Sequence, residues 1–400
     1  MPMISQALQR VRPSATMTIT QMARDKKAAG HDVISLSVGE PDFDTPQHIK
    51  DAAIRALAAG KTKYTAVDGI PELKKAIVDK FQRENHMKVT TSHVSVAVGG
   101  KHIIYNALIA TLDPGDEVII PAPYWVSYPD IVRLAGATPV TVEAGAAQGF
   151  RLTPQQLRRA ITPKTKWLIL NSPSNPTGAA YTYAQLKALA DVLVDHPQVH
   201  ILTDDIYEHL IYDGLEFATI AQVEPKLMPR TVTMNGVSKS YSMTGWRIGY
   251  CAAPEWLVKA MEKLQGQSTS NPCSIAQWAS VEALNGPQDF LDGWRAEFKQ
   301  RRDFMVERLN RISGLTCRTP EGAFYVYPSC EGVLGLKTPG GKKLETDEDF
   351  VLALLDEANI AAVHGGAFGL SPFLRISYAT SMKDLETACD RIDAFCSQLN

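Results

Sequence analysis

Lys239 lies in the run GVSKSYSMTGWRIGY, residues 236–250, between Ser238 and Ser240. Arg247 follows inside Thr-Gly-Trp-Arg-Ile-Gly. An amine in this setting suits Schiff-base chemistry with an aldehyde cofactor. Covalent amine catalysis needs an uncharged, accessible nitrogen, and a fixed cation nearby can hold a cofactor phosphate. A bare Ser-Lys pair carries no such meaning, because most lysines are solvated surface residues. The reading therefore depends on segments elsewhere that supply the rest of one site.

Asp204 and Tyr207 stand in TDDIYEHL. A carboxylate at the end of a buried strand costs free energy unless it is paired. A protonated pyridine nitrogen would pair it, and Tyr207 would reach the ring's phenolic oxygen. The alternative is that Asp204 and Asp205 cap a following helix. In NSPSNPTG, residues 171–178, Asn175 precedes Pro176 in extended backbone and is a candidate donor to a phenolate oxygen and a substrate carboxylate; the alternative is a plain Pro/Asn turn. Gly99-Gly100-Lys101 ends an apolar run and opens a helix, where a phosphate can approach backbone N–H groups, although most Gly-Gly pairs are turns. Trp125 offers a flat face to a cofactor ring, or packs at a strand end. Arg375, in the apolar run FLRISYA, fits a substrate carboxylate or a structural ion pair. Gly39, in SVGEPDF, would let a mobile loop close over that carboxylate, and Tyr64 is a candidate phosphate ligand reaching in from a second subunit.

The elements that must position these residues follow a rhythm. VSVAVGG (94–100), EVIIPAP (117–123), TPVTVEA (138–144), KWLILNSP (166–173), VHILTDD (199–205), TVTMNG (231–236) and RIGYCAAP (247–254) alternate with helical patterns. Near-continuous Val/Ile/Leu runs between helices predict an α/β fold with a mostly parallel sheet covered on both faces. Ligands in such sheets bind at the C-terminal strand ends. The candidates fall there in sequence order: Gly99-Gly100, Tyr124-Trp125, Asn171 to Asn175, Asp204 to Tyr207, and Ser238-Lys239. Helices are expected over Ile19 to Gly30, 46–60 and 70–85. Beyond about 285 the texture changes to a long charged helix, FLDGWRAEFKQRRDFMVERLNRI, short strand candidates at 322–328 and 373–379, an exposed loop at 331–347, and a last helix at 382–398. The expected division is an arm and part of a small domain at 1–45, a large cofactor-binding domain at 46–289, and a small α+β domain at 290–400.

With 400 residues, 45% hydrophobic and 21% charged, the chain has an ordinary globular composition and ample length for a large core. A net charge of −2 gives no basic excess for nucleic acid or an anionic membrane. The six cysteines form no Cys-x-x-Cys pair and do not cluster with histidines, so neither zinc nor any other metal is expected. No signal-peptide pattern opens the sequence and no run of 18 apolar residues occurs, which points to a cytoplasmic protein with reduced thiols.

Taken in order, from VRPSAT at 11 to ISYATS at 376, these segments resemble the class I aminotransferases of pyridoxal-phosphate fold type I. More narrowly they resemble bacterial aspartate aminotransferases whose rhizobial-type members also transaminate prephenate. The resemblance implies a seven-stranded-type sheet with a smaller α+β domain, and pyridoxal 5'-phosphate as cofactor. It assigns the Schiff base to Lys239, the pyridine nitrogen to Asp204, the phenolic oxygen to Tyr207 and Asn175, stacking to Trp125, and the phosphate to Arg247. It gives the substrate α-carboxylate to Arg375 and the closing loop to Gly39. Lys101 would take part of the distal-carboxylate role, and Arg12 is a second basic candidate at the substrate mouth. His102 departs from the pattern, where a glutamine is expected. The implied activity is ping-pong amino transfer from aspartate to 2-oxoglutarate, with glutamate, oxaloacetate and prephenate as further substrates, in a homodimer with active sites at the interface. The rival enzyme reading is an aromatic or other class I aminotransferase. Readings from other classes are a lyase on the same fold and a non-catalytic effector module, which would need a basic helix-turn-helix that the N-terminal sequence does not supply.

Overall fold

The computed structural model describes residues 3–400; Met1 and Pro2 of the expected arm lie outside the described residues. In chain order the strands are β1 (Ile34–Ser35), β2 (Val94–Ala97), β3 (Glu117–Ala122), β4 (Thr138–Glu143), β5 (Thr165–Asn171), β6 (His200–Asp204), β7 (Thr231–Gly236), β8 (Gly249–Ala252), β9 (Tyr325–Val326), β10 (Ile360–Ala361), β11 (Val363–His364) and β12 (Leu374–Ser377). The seven apolar runs form one sheet in the order β2-β8-β7-β6-β5-β3-β4. The consecutive neighbours β7, β6, β5, β3 and β4, with β4 at the edge, are parallel. β8 runs antiparallel to both β2 and β7, so the sheet is α/β and mostly parallel with one reversed strand.

Side chains alternate across this sheet, as a period of two requires. Trp167 and Ile169 of β5 join Val118, Ile120 and Leu202 on one face, packed by Ile103, Ile104 and Val132. Leu168 and Leu170 join Ile119 and Ile201 on the other, packed by Leu186, Leu189 and Leu193. Both faces are dry, which explains runs without polar alternation. The flanking helices begin where local chemistry allows. Pro71 opens the Pro71–Asn85 helix, where its missing N–H costs nothing, and Thr153 and Thr182 close capping boxes with Gln156 and Gln185.

The remaining strands are short. β11, β12 and β9 form an antiparallel sheet, and β1 pairs parallel with β10. Their core unites Ile19, Ala23 and Leu36 with Phe298, Leu354 and Ile376. Three expectations change here. The strand at 322–328 shrinks to Tyr325–Val326. The first long helix begins at Ala15, four positions before Ile19. The segment 331–347 is only partly exposed, because Val333 and Leu344 are buried in the same core. Its Gly/Lys content hid two apolar anchors. All six cysteines are free, and no helix among the described residues is long and apolar enough to cross a membrane.

Candidate active site

A cleft of ≈ 370 Å³ opens at the C-terminal ends of β3, β5, β6 and β7. This is the crevice where open α/β sheets bind ligands, and its size suits a small molecule. Lys239, Asp204, Tyr207, Asn175, Trp125, Gly100, Lys101, Arg247, Gly39 and Arg375 all line it. A wider recess of ≈ 850 Å³ adjoins it past Arg247, but contains none of Lys239, Asp204 or Arg375.

Lys239 sits just past β7 and is half-buried. Its Nζ donates to the Gly39 carbonyl at 2.5 Å and has no ion-pair partner among the described residues. Loss of hydration, with some help from the Arg247 and Arg375 charges, lowers the Lys239 pKa to about 8 against the pull of Glu40. A neutral amine is therefore accessible near neutral pH.

Asp204 ends β6 and is buried. Tyr128 Oη donates to its Oδ2 at 2.6 Å, and the Ile206 N–H to its Oδ1 at 3.3 Å. Burial raises its pKa to about 6, although Tyr128, Ile206 and Lys239 oppose the shift. The capping alternative falls away, because no helix begins after β6: the chain enters turns up to Leu210. Asp205 is buried too, but does not line the cleft. Tyr207 Oη shares a hydrogen bond of 2.8 Å with Tyr325 Oη. Burial first, and then Tyr325, hold the Tyr207 phenol well above its ordinary pKa.

A cationic corner closes one end. Gly99, at φ 84°, caps the Gly100–Ile109 helix, whose first N–H groups face the cleft through Gly100 and Lys101. Gly99 adopts φ 84° and ψ 162°, a backbone conformation that suits glycine, and a Cβ there would lie 2.2 Å from Arg247 Nη2 and push the guanidinium aside. Helix N-terminus and guanidinium together form an anion site. Lys101 Nζ lies 4.8 Å from the centroid of the Trp125 ring, and lost hydration followed by the Arg247 charge lowers its pKa.

Arg375 closes the other end from β12 and is 2% exposed. It donates to Asn175 Oδ1 at 3.0 Å and to the Ser37 carbonyl, while its Nε has no partner. No carboxylate contacts it, which removes the structural ion-pair alternative. Asn175 is held in turn by its N–H to Asn171 Oδ1 at 2.8 Å.

Three predicted residues stand apart. Gly99 touches the corner through Arg247 without lining the cleft. Arg12 is exposed and off the cleft wall, although Thr16 and Met17 just after it line the wall. Tyr64 is 92% exposed and does not line this chain's own cleft. His102 does not line the cleft and leaves Nδ1 buried without a partner. Sequence reasoning missed Tyr128 and Tyr325. Trp125 lies before the Ser127–Leu134 helix that carries Tyr128, and neither Tyr128 nor Tyr325 had a signal beyond the run around it.

Comparison with known proteins gives the family and the fold. The aminotransferase class I and II family matches residues 31–392. An aspartate/prephenate aminotransferase of Cereibacter sphaeroides is 62% identical over 400 residues, all of both chains. The crystal structure of the aspartate aminotransferase of Rhizobium meliloti superposes with a TM-score of 0.97 at 55% identity, covering 99% of each chain. The Thermus thermophilus aspartate aminotransferase with maleate gives 0.92 at 43% identity, covering 99% of this chain and 100% of that one. A family match over most of the length, on a cleft that gathers these residues, means that this chain belongs to the class I and II aminotransferases.

Proposed function

We propose that the enzyme is a pyridoxal-phosphate-dependent aspartate aminotransferase that exchanges amino groups between aspartate and 2-oxoglutarate, with glutamate and oxaloacetate as the partner pair. One observation carries the reading: Lys239, Asp204 and Arg375 converge on one cleft, and none has an ion-pair partner among the described residues. Three desolvated charges without counter-charges are costly unless a ligand supplies them. An aldehyde for the amine, a ring N–H⁺ for the carboxylate and a carboxylate for the guanidinium fit all three.

When bound, pyridoxal phosphate supplies an electron sink for the pair left at the substrate α-carbon. Gly99, Gly100 and Arg247 would hold its phosphate, and Trp125 would offer its face to the ring. Asp204 keeps a proton on the ring nitrogen, helped by Tyr128. Tyr207 and Asn175 donate toward its phenolic oxygen. Arg375 grips the substrate α-carboxylate, and Lys239 moves a proton at the α-carbon, a step that contributes about 10²–10⁴ in rate. Closure of the Gly39 loop excludes water. Lys101, which lines the cleft, is proposed to meet the distal carboxylate, with Arg12, exposed outside the cleft wall, as a second basic candidate. The maleate named with the Thermus thermophilus relative is itself a dicarboxylate.

Prephenate is proposed as a second amino acceptor, supported by the name of the Cereibacter sphaeroides relative. The enzyme is proposed to act as a cytoplasmic homodimer. Tyr64, exposed here, would complete the partner's phosphate site, and the free cysteines suit a reducing compartment. The divisions at 1–45, 46–289 and 290–400 are retained as domains. The core shared by Leu36 and Ile376 supports joining the first and last into one smaller unit.

The test is a half-reaction. Purified enzyme loaded with pyridoxal phosphate is mixed with aspartate or with glutamate, without keto acid, and the visible spectrum is followed. Conversion to the pyridoxamine band by both, with oxaloacetate released from aspartate, is expected. Conversion by neither would overturn the transaminase mechanism, and conversion by glutamate alone would overturn the aspartate assignment.

A further inference from the structure

Behind the cleft, among residues that do not line it, three parts of the chain meet on a charged network. Lys80, on the Pro71–Asn85 helix, has a side chain with 0% exposure. Its ammonium pairs with the Glu208 carboxylate, donates to Asn85 Oδ1 at 2.7 Å and lies 3.6 Å from Glu84 Oε2. Glu208 also accepts from Asn85 Nδ2 at 2.9 Å and from Asn235 Nδ2 at 2.7 Å. His209 Nε2 lies 3.0 Å from Glu84 Oε2, and its Nδ1 lies 2.8 Å from Ser240 Oγ. An ionised carboxylate only accepts, so Nε2 carries a proton toward Glu84, while Nδ1 shares its hydrogen bond with the Ser240 hydroxyl. Burial works to raise the Glu84 pKa, but the His209 hydrogen bond and the Lys80 charge outweigh it and bring it to about 2. Around His209 the charged and titratable groups are Glu84 with its partner Arg83, Lys80, Glu208, and Tyr241, whose ring centroid lies 6.2 Å away.

Connectivity gives this network its meaning. Glu208 and His209 directly follow Tyr207, Ser240 directly follows Lys239, and Asn235 stands at the end of β7 before the Lys239 loop. The network thus ties the turn after β6 and the loop after β7 to one helix. Glu84, Glu208 and His209 are close enough to ligate a metal ion, but the Lys80 ammonium already contacts both carboxylates. Apolar residues of similar volume would fill the space at least as stably as buried charges. What charges add is fixed direction.

We propose that Glu208 and His209, anchored by Lys80 and Glu84, are positioning residues that set the Tyr207 hydroxyl and the Lys239 amine relative to each other. This rests on the reading of Lys239 as the cofactor lysine. The test uses the holoenzyme as wild type, Lys239→Ala, Ser240→Ala, His209→Gln and Glu208→Gln. The visible cofactor band is titrated with pH, and kinetics and thermal unfolding are measured alongside. In His209→Gln and Glu208→Gln the band's apparent pKa is expected to move by about half a unit or more. Turnover should fall on the order of tenfold with KM held within about twofold. Ser240→Ala, which removes one oxygen, should move the band in the same direction and stays readable if the Glu208 variant does not fold. A band with the wild-type pKa in every folded variant, with only the melting temperature lowered, overturns this inference and leaves the functional reading standing. A wild-type chain with no pH-titrating band, or a band that still titrates with the wild-type pKa in Lys239→Ala, overturns both.

Discussion

Two lysines sit inside this molecule and are treated in opposite ways. Lys80 is met by Glu208, Glu84 and Asn85. Lys239 has the Gly39 carbonyl and the distant field of Glu40. The same side chain is locked into an ion network in one place and is an amine with a lowered pKa in the other. The chemistry follows from the company withheld as much as from the company given. Asp204 and Arg375 repeat the pattern of Lys239 with other charges, each holding hydrogen bonds but no counter-ion. Such groups mark sites where a ligand completes the electrostatics.

The comparison can be broken in four places. Lys239→Ala should cut turnover on the order of 10⁴-fold in steady-state assays, without lowering the melting temperature, since it removes a desolvated cation. Retention of a tenth of the activity would break the contrast outright. Lys80→Ala should cost about 3–5 kcal/mol in denaturant unfolding, because Glu208 is left buried and unpaired, and the double variant Lys80→Met with Glu208→Gln should recover part of that loss.

Asp204→Asn sharpens the contrast through pH. The folded carboxyl titrates at about 6 against 3.8 unfolded, so the folded chain binds more protons between those values. Stability therefore falls as pH rises through that window and stays lower above it. The cofactor-free Asn variant should gain up to about 3 kcal/mol at pH 7.5 while losing activity. For Lys239 the window lies between about 8 and 10.5, where the unfolded chain holds more protons, so stability of the cofactor-free wild type should rise with pH there and that slope should vanish in Lys239→Ala. The smallest effect is expected from Lys101→Ala: about tenfold lower kcat/KM with aspartate, one charged hydrogen bond's worth, and little change with an aromatic amino acid.

The sheet and its strand-end residues were legible because buried parallel strands write continuous apolar runs and then stop. Asp204, Asn175, Trp125 and Lys239 stand where such runs end. Arg375 was legible for the opposite reason, as a lone charge inside an apolar strand. Lys80 was not. In PELKKAIVDKFQREN it is one lysine among several on a charged helix, and its burial depends on Glu208, far along the chain. Tyr128 and Tyr325 were hidden likewise, since their partners Asp204 and Tyr207 lie 76 and 118 positions away. The reversal of β8 left no mark either, because an apolar strand reads the same in both directions.

That reversal governs how the enzyme can vary. Because β8 runs against its neighbours, Arg247, two residues before it, arrives beside the ends of β2 and β7; a strand in the common direction would deliver it to the opposite edge. Gly249 pairs with both Ala97 and Gly236, and a Cβ there would lie 2.2 Å from the Gly100 nitrogen. Three loops are thereby locked in phase at one point. A single insertion or deletion between Thr244 and Gly249 would carry the guanidinium off the helix end, so the length of this segment should be as tightly constrained as the glycines that it packs against.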